Sequence, residues 1–224
     1  MLKENIEKVL NFIKDGNNLG EPITLVGATK TVSAQVINQA VSYGLKVVAE
    51  NKVQEFREKT DLIAHAKQHF IGHLQTNKVK YLVGKVELIH SVDSVHLAEA
   101  IDKEALKKGV VQDVLVEINV GGELSKSGFD LENAYEGVKE ISKLDNLKVL
   151  GLMAMLPKSE KKEEISALCL KMREIFDTLN KEGFNLKYLS MGMSHDYEIA
   201  VKNGSNMIRL GSVLFGERNY GDKL

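Results

Sequence analysis

The sequence predicts a single (β/α)₈ barrel, spanning residues 1–224 and preceded by an extra N-terminal helix. Three observations carry that expectation. Eight short runs rich in Val, Ile and Leu are spaced along the 224 residues. Amphipathic stretches of helical period separate them. Nothing between them reads as a linker, and the only prolines are Pro22 and Pro157. Continuously apolar runs suit parallel strands covered on both faces. Eight such units fill a barrel at the short end of the usual size. An open doubly wound sheet is the alternative. It commonly opens with a glycine-rich turn, whereas the first turn here is Thr29-Lys30-Thr31-Val32-Ser33.

The elements follow in order. Leu2, Ile6, Val9, Leu10 and Ile13 recur at helical spacing with charges between them, which predicts a helix and not a signal peptide. The first strand is predicted at Ile23–Ala28, between Pro22 and Ser33. Val36, Ile37, Ala40 and Val41 form the next helical face, closed by Gly44. Strands are predicted at Lys46–Ala49, His69–Gly72 and Val86–His90. Ser94 is a candidate N-cap for the face of Leu97, Ala98, Ile101 and Ala105, and Gly109 ends it. A fifth strand is predicted at Asp113–Asn119. Asp130 is a candidate cap for Leu131, Ala134, Tyr135, Val138 and Ile141. A sixth strand at Leu147–Met153 precedes the longest face, Ile165, Leu168, Met172, Ile175, Phe176 and Leu179. Glu163 and Glu164 lie in its early turn and Gly183 follows it. The last strands are predicted at Lys187–Ser190 and Asn206–Leu210.

Charge and composition exclude several classes. There are 31 acidic and 30 basic residues, so no strong field recruits nucleic acid or a membrane. Of the basic residues four are arginine, Arg57, Arg173, Arg209 and Arg218, and they do not cluster in sequence. No apolar run approaches the ~20 residues of a membrane span. The single cysteine, Cys169, cannot form an internal disulfide and fits a reducing cytoplasm. It lies in the longest helical face, where packing explains it better than nucleophilic chemistry. His65, His69, His90 and His96 lack metal-ligand spacing, so no metal site is expected.

A barrel carries its chemistry at the C-terminal ends of its strands. The first strand delivers Lys30 there, and a partly desolvated amine can form an imine with a carbonyl compound. The second delivers Glu50 and Asn51, the third His73, and the sixth Met153 and Met155. The seventh delivers Ser190-Met191-Gly192-Met193-Ser194-His195-Asp196, and the eighth Arg209-Leu210-Gly211-Ser212. Gly192 and Gly211 let backbone approach a ligand, and Ser194 and Ser212 stand where helices should begin. Those two turns read as a phosphate cradle. His195 and Asp196 read as helix cap and dipole partners. Arg209 interrupts a buried strand, so it must meet an acid, water or a ligand. An imine-forming lysine, a phosphate cradle and an arginine for a ring nitrogen match pyridoxal 5'-phosphate, PLP.

The ordered motifs also resemble a known family. They are Ala28-Thr29-Lys30, Glu50-Asn51-Lys52-Val53-Gln54-Glu55, His69-Phe70-Ile71-Gly72-His73-Leu74-Gln75-Thr76-Asn77-Lys78, Lys126-Ser127-Gly128-Phe129, Gly151-Leu152-Met153, Leu189 to Asp196 and Arg209 to Arg218. In these the chain resembles the YggS/PROSC family of PLP-binding proteins over essentially its whole length. The resemblance implies a barrel similar to the N-terminal domain of alanine racemase, PLP held as a covalent imine on Lys30, and a role in cytoplasmic PLP homeostasis. It implies cofactor contacts from Asn51, Ser194, Arg209, Gly211 and Ser212; His73 and Met193 complete the candidate set. Ala49, Lys52 and Ser212 depart from the family's usual Gly, Arg and Thr.

The function expected is PLP carriage without substantial turnover, by a monomer, with PLP-requiring apo-enzymes as possible recipients. Two other readings compete. An amino-acid racemase needs a second base opposite the lysine, for which Tyr220 is the nearest candidate. A Schiff-base aldolase would use Lys30 without PLP, and has no need of Arg209 beside two phosphate-type turns.

Overall fold

The computed structural model describes residues 1–123 and 127–216. Lys126, Glu217, Arg218 and Tyr220, which the motifs and the racemase reading single out, lie outside the described residues. Within them the chain forms nine strands: β1 (Thr24–Ala28), β2 (Val47–Glu50), β3 (Lys67–Phe70), β4 (Leu88–Val92), β5 (Gln112–Asn119), β6 (Phe129–Asp130), β7 (Leu147–Ala154), β8 (Tyr188–Ser190) and β9 (Met207–Leu210). All pairings are parallel. The order β4-β3-β2-β1-β9-β8-β7-β5 is closed into a ring by a β4–β5 pairing. That ring is the expected eight-stranded barrel. β6 is a spur on β5, with Ile118 opposite Phe129, and two residues are too few to leave a periodic signal.

Alternation along the strands sorts the side chains. Val26, Val47, Ala49, Leu88, Leu115, Leu150, Met153 and Met207, from six strands, pack together inside the barrel. Their neighbours Leu25, Val48, Ile208 and Leu210 face the helices instead. Register therefore turns Arg209 inward with Met207, while Ile208 and Leu210 point out.

The helices are α1 (Leu2–Ile13), α2 (Ala34–Ser42), α3 (Val53–Lys59), α4 (Val95–Lys108), α5 (Ala134–Ile141), α6 (Lys162–Lys181), α7 (Tyr197–Lys202) and α8 (Ser212–Phe215). The predicted Ser94 cap holds, its Oγ accepting from the Leu97 N–H at 3.2 Å, and Ser33 Oγ likewise caps α2, accepting from the Val36 N–H at 3.4 Å. Asp130 makes no side-chain cap bond; a 3₁₀ turn, Leu131–Asn133, intervenes before α5. A second 3₁₀ segment, Thr76–Tyr81, follows β3 where a full helix would be expected.

α1 explains how a four-residue α8 suffices. Ile6, Val9 and Ile13 pack among Ile37 and Ala40 of α2, Tyr197 and Val201 of α7, Ile208 of β9 and Leu214 of α8. Asn5 Nδ2 donates to the Leu214 carbonyl at 3.2 Å. The N-terminal helix thus covers the outer face of β1 and β9. Each such buried aliphatic side chain contributes about 1.5–3 kcal/mol. Cys169 is fully buried in α6, and burial pushes its thiol up to about 12, in keeping with a packing role. Among the described residues no helix is long and apolar enough to cross a membrane, and no three metal-type side chains cluster.

Candidate functional site

Lys30 follows β1 directly, and both of its neighbours are tied down. Thr29 Oγ1 lies 2.7 Å from Glu50 Oε1 and 3.1 Å from the Ala49 carbonyl. The Thr31 N–H donates to Glu55 Oε2 at 2.8 Å. Lys59 Nζ joins the two halves, donating to Glu50 at 3.0 Å, Glu55 at 2.8 Å and the Thr29 carbonyl at 3.2 Å. Burial pushes the Glu50 carboxyl up despite its bonds from Thr29 and Lys59. Burial acts against the Lys59 charge too, but the bonds to Glu55 and Glu50 outweigh it and hold the amine above its ordinary value. Strand order alone places Glu50 at the mouth. It is the last residue of β2, and alternation turns it outward onto α3 instead.

Lys30, Gly211 and Ser212 come together. They line a cavity of about 410 Å³ with Ala28, Ser33 and Phe215. The Leu214 and Phe215 N–H groups bond to the Gly211 carbonyl, whereas Ser212 and Val213 head the turn with no backbone acceptor for theirs among the described residues.

The loop after β8 differs from expectation. α7 starts at Tyr197, three residues beyond Ser194, and Asp196 is its N-cap. The Asp196 carboxylate reaches backward and accepts from the Met193 N–H at 2.6 Å. Gly192 adopts φ 101°, and a Cβ there would fall 2.9 Å from Ala200 Cβ and 3.0 Å from Tyr197 Cα. Its lack of a side chain serves close packing on α7. Met193 and Ser194 are half-buried beside this turn, and His195 is exposed.

Arg209 is held inside the barrel. Nη1 donates to the Ser190 carbonyl at 2.9 Å and to Ser190 Oγ at 2.7 Å, and Nη2 donates to the Ala154 carbonyl at 2.9 Å. Burial pulls its pKa down to about 10, opposed by Glu117 and Asp196, so it is cationic at neutral pH. No acid forms an ion pair with it among the described residues. Glu117, inward on β5, is itself pushed up to about 7 by burial and then by Asp93. Sequence reasoning missed Ser190 as a hydrogen-bond partner of Arg209 and Glu117 as the acid whose charge acts on it. The signal was present as polar residues at inward positions of otherwise apolar strands.

Asn51 and His73 share a neighbouring cavity of about 610 Å³ with Arg57, Lys78 and Tyr81, not the one that Lys30 lines. Gly72 makes room for the Asn51 backbone, since a Cβ there would lie 1.9 Å from the Asn51 carbonyl oxygen. Asn51 Oδ1 is buried without a hydrogen-bond partner among the described residues. His73 is exposed, its Nδ1 3.3 Å from Asp93 Oδ2 and 3.4 Å from Ser127 Oγ. Met153 packs in the barrel core, while Met155 is partly exposed.

This barrel has known counterparts. The family model for the alanine racemase N-terminal domain matches residues 2–219. A curated relative, the pyridoxal phosphate homeostasis protein of Aquifex aeolicus, is 47% identical over 220 residues, covering 97% of this chain and 95% of its own. The chain belongs to the pyridoxal phosphate homeostasis protein family. Within that family the structure of PipY from Synechococcus elongatus PCC7942, with PLP bound, is similar with a TM-score of 0.83 and 30% identity. The match covers 96% of this chain and 100% of that one. An alanine racemase from Clostridium difficile, at 17% identity and a TM-score of 0.81, shares the fold, and this chain spans 58% of its length.

The homeostasis family's ligand can be set against the residues present. The orphaned Asn51 Oδ1 leaves an acceptor for a ligand donor or water. Ser212, whose N–H has no backbone acceptor among the described residues, borders the cavity that holds Lys30. An amine, anion-type donors and a buried cation at one barrel mouth fit a phosphorylated aromatic aldehyde.

Proposed function

We propose that this chain binds PLP at the C-terminal mouth of its barrel and carries it for intracellular PLP homeostasis, without substantial turnover. The carrying observation is the cavity that Lys30 shares with Gly211 and Ser212, in the turn that follows the buried Arg209 along the chain. Lys30 would hold the aldehyde carbon through its amine, the aldehyde oxygen leaving as water. Ser212, Ser194 and the N–H groups after Gly211 take the phosphate oxygens. Arg209 would meet the ring nitrogen and Met193 the ring, while Asn51 and His73, which line the neighbouring cavity, would reach it from that side. When bound, PLP supplies an electron sink that is strong only if its ring nitrogen is protonated. Arg209 disfavours that protonation, because two positive charges would then lie close together. The same cation that orients the ring therefore keeps it a weak catalyst. Similarity supports the carrier reading: the pyridoxal phosphate homeostasis relative is 47% identical over 97% of this chain.

Titrating PLP into the protein tests this. Wild type should develop a visible absorbance band that Lys30→Ala lacks, and α-proton exchange of L-alanine in heavy water should stay near that of free PLP. Exchange orders of magnitude faster would put a racemase first. Delivery of PLP to a PLP-requiring apo-enzyme is measured by the return of that enzyme's activity.

A further inference from the structure

Two histidines that touch no part of the proposed cofactor site lie deep in the barrel. His90 on β4 is fully buried and His69 on β3 is 5% exposed. His69 Nδ1 is 3.0 Å from His90 Nε2, and His90 Nδ1 is 3.4 Å from Ser190 Oγ. Ser190 Oγ is also the acceptor for Arg209 Nη1 at 2.7 Å. Four side chains from β9, β8, β4 and β3 thus form one hydrogen-bonded chain among the apolar side chains of the barrel interior.

The chemistry of its first member gives the chain a direction. A guanidinium only donates, so Ser190 Oγ must accept from Arg209 and spend its single hydrogen elsewhere. Kept within the chain, that hydrogen goes to His90 Nδ1, a tautomer assignment that ring-nitrogen NMR checks. A neutral imidazole that accepts at one nitrogen donates at the other, so His90 Nε2–H donates to His69 Nδ1. His69 then carries its hydrogen on Nε2. It lines a cavity of about 420 Å³ at the N-terminal end of the barrel, with Lys67, Asp113 and Tyr188. Burial keeps both rings neutral: the His69 pKa is pushed down to about 3 and that of His90 falls well below its ordinary value.

We infer that His90 and His69 are positioning residues for Arg209: through Ser190 they lock the orientation of its guanidinium at the ring nitrogen of the cofactor. This rests on the proposed placement of Arg209 at that nitrogen. A neutral chain adds no negative charge, so it orients the arginine without neutralising it. An acid in place of Ser190 or His90 would cancel the cation.

The variants His90→Leu and His90→Gln separate orientation from packing. Leucine fills the space and breaks the chain. Glutamine keeps it, its carbonyl accepting from Ser190 and its amide donating to His69. The absorbance of bound PLP should move for His90→Leu in the same direction as for Arg209→Gln, with affinity for PLP weakened about five- to tenfold, the cost of one misplaced hydrogen bond. His90→Gln should match wild type in both. His69→Leu carries the same expectation, more weakly, should His90→Leu fail to fold. A folded His90→Leu or His69→Leu with wild-type absorbance and affinity would overturn the inference while leaving the proposed site standing. An unchanged absorbance in Arg209→Gln would overturn the placement of Arg209, and the inference with it. Nitrogen NMR of the protein without PLP, at pH 7, checks the chain independently. Both rings should carry hydrogen on Nε2 alone, and a hydrogen on His90 Nδ1 would contradict it.

Discussion

Glu55 Oε2 accepts the backbone N–H of Thr31 at 2.8 Å, and Thr31 sits at φ 66°, a conformation costly for a β-branched residue. The bond helps hold a strained residue immediately after Lys30. Thr29, immediately before it, is held by Glu50. Lys59 bridges both carboxylates, so the lysine proposed to carry PLP stands between two anchored neighbours.

Removing that bridge should be expensive. The Glu50 side chain is 4% exposed, and Lys59→Met would leave its carboxylate buried without a cation. We expect a loss of about 3 kcal/mol in urea unfolding. Adding Glu50→Gln should recover part of it, because the uncompensated charge is then gone. Equal stability of Lys59→Met and wild type would show that the bridge is incidental.

The phosphate contacts predict a preference among ligands. Pyridoxal, which lacks the phosphate, should bind much more weakly than PLP. Ser212→Ala and Ser194→Ala should each weaken PLP by about 1–3 kcal/mol and leave pyridoxal nearly unaffected. Ser194 lies in the turn before α7 and not at its first residue, so its effect is the more exacting test. Similar affinity for the two ligands in wild type would remove the phosphate cradle from the account.

Glu117 gives a pH signature. Its ordinary pKa of 4.5 is raised to about 7 in the folded chain. Between those values the folded state binds more protons than the unfolded one, so this group's stabilising contribution is present at low pH and is lost as pH rises through the window. The stability of Glu117→Gln relative to wild type should therefore increase between about pH 4.5 and 7, by on the order of 2–3 kcal/mol. Paired urea melts at pH 5 and pH 7.5 measure it. A difference that does not grow with pH would contradict the burial of an unpaired carboxyl there.

How much of this was legible in the sequence depends on the range of the forces involved. The barrel strands show because Val, Ile and Leu runs report burial locally, and α1 shows because Ile6, Val9 and Ile13 share one helical face. Arg209 was conspicuous for the same reason, as a charge in an apolar run. Its partners were not, since Ser190 and Ala154 reach it only when β7, β8 and β9 close side by side. The outward turn of Glu50 depends on strand register, and a one-residue slip reverses it. The pairing of His69 with His90 was invisible because the two residues come from different strands and lack any motif spacing.

Everything proposed for the barrel mouth depends on Lys30 carrying PLP. Borohydride reduction of the PLP-loaded protein, followed by digestion and mass spectrometry, tests it most directly. The reduced cofactor should appear on the peptide containing Lys30. An adduct on Lys78 or Lys202, with Lys30 unmodified, would contradict it.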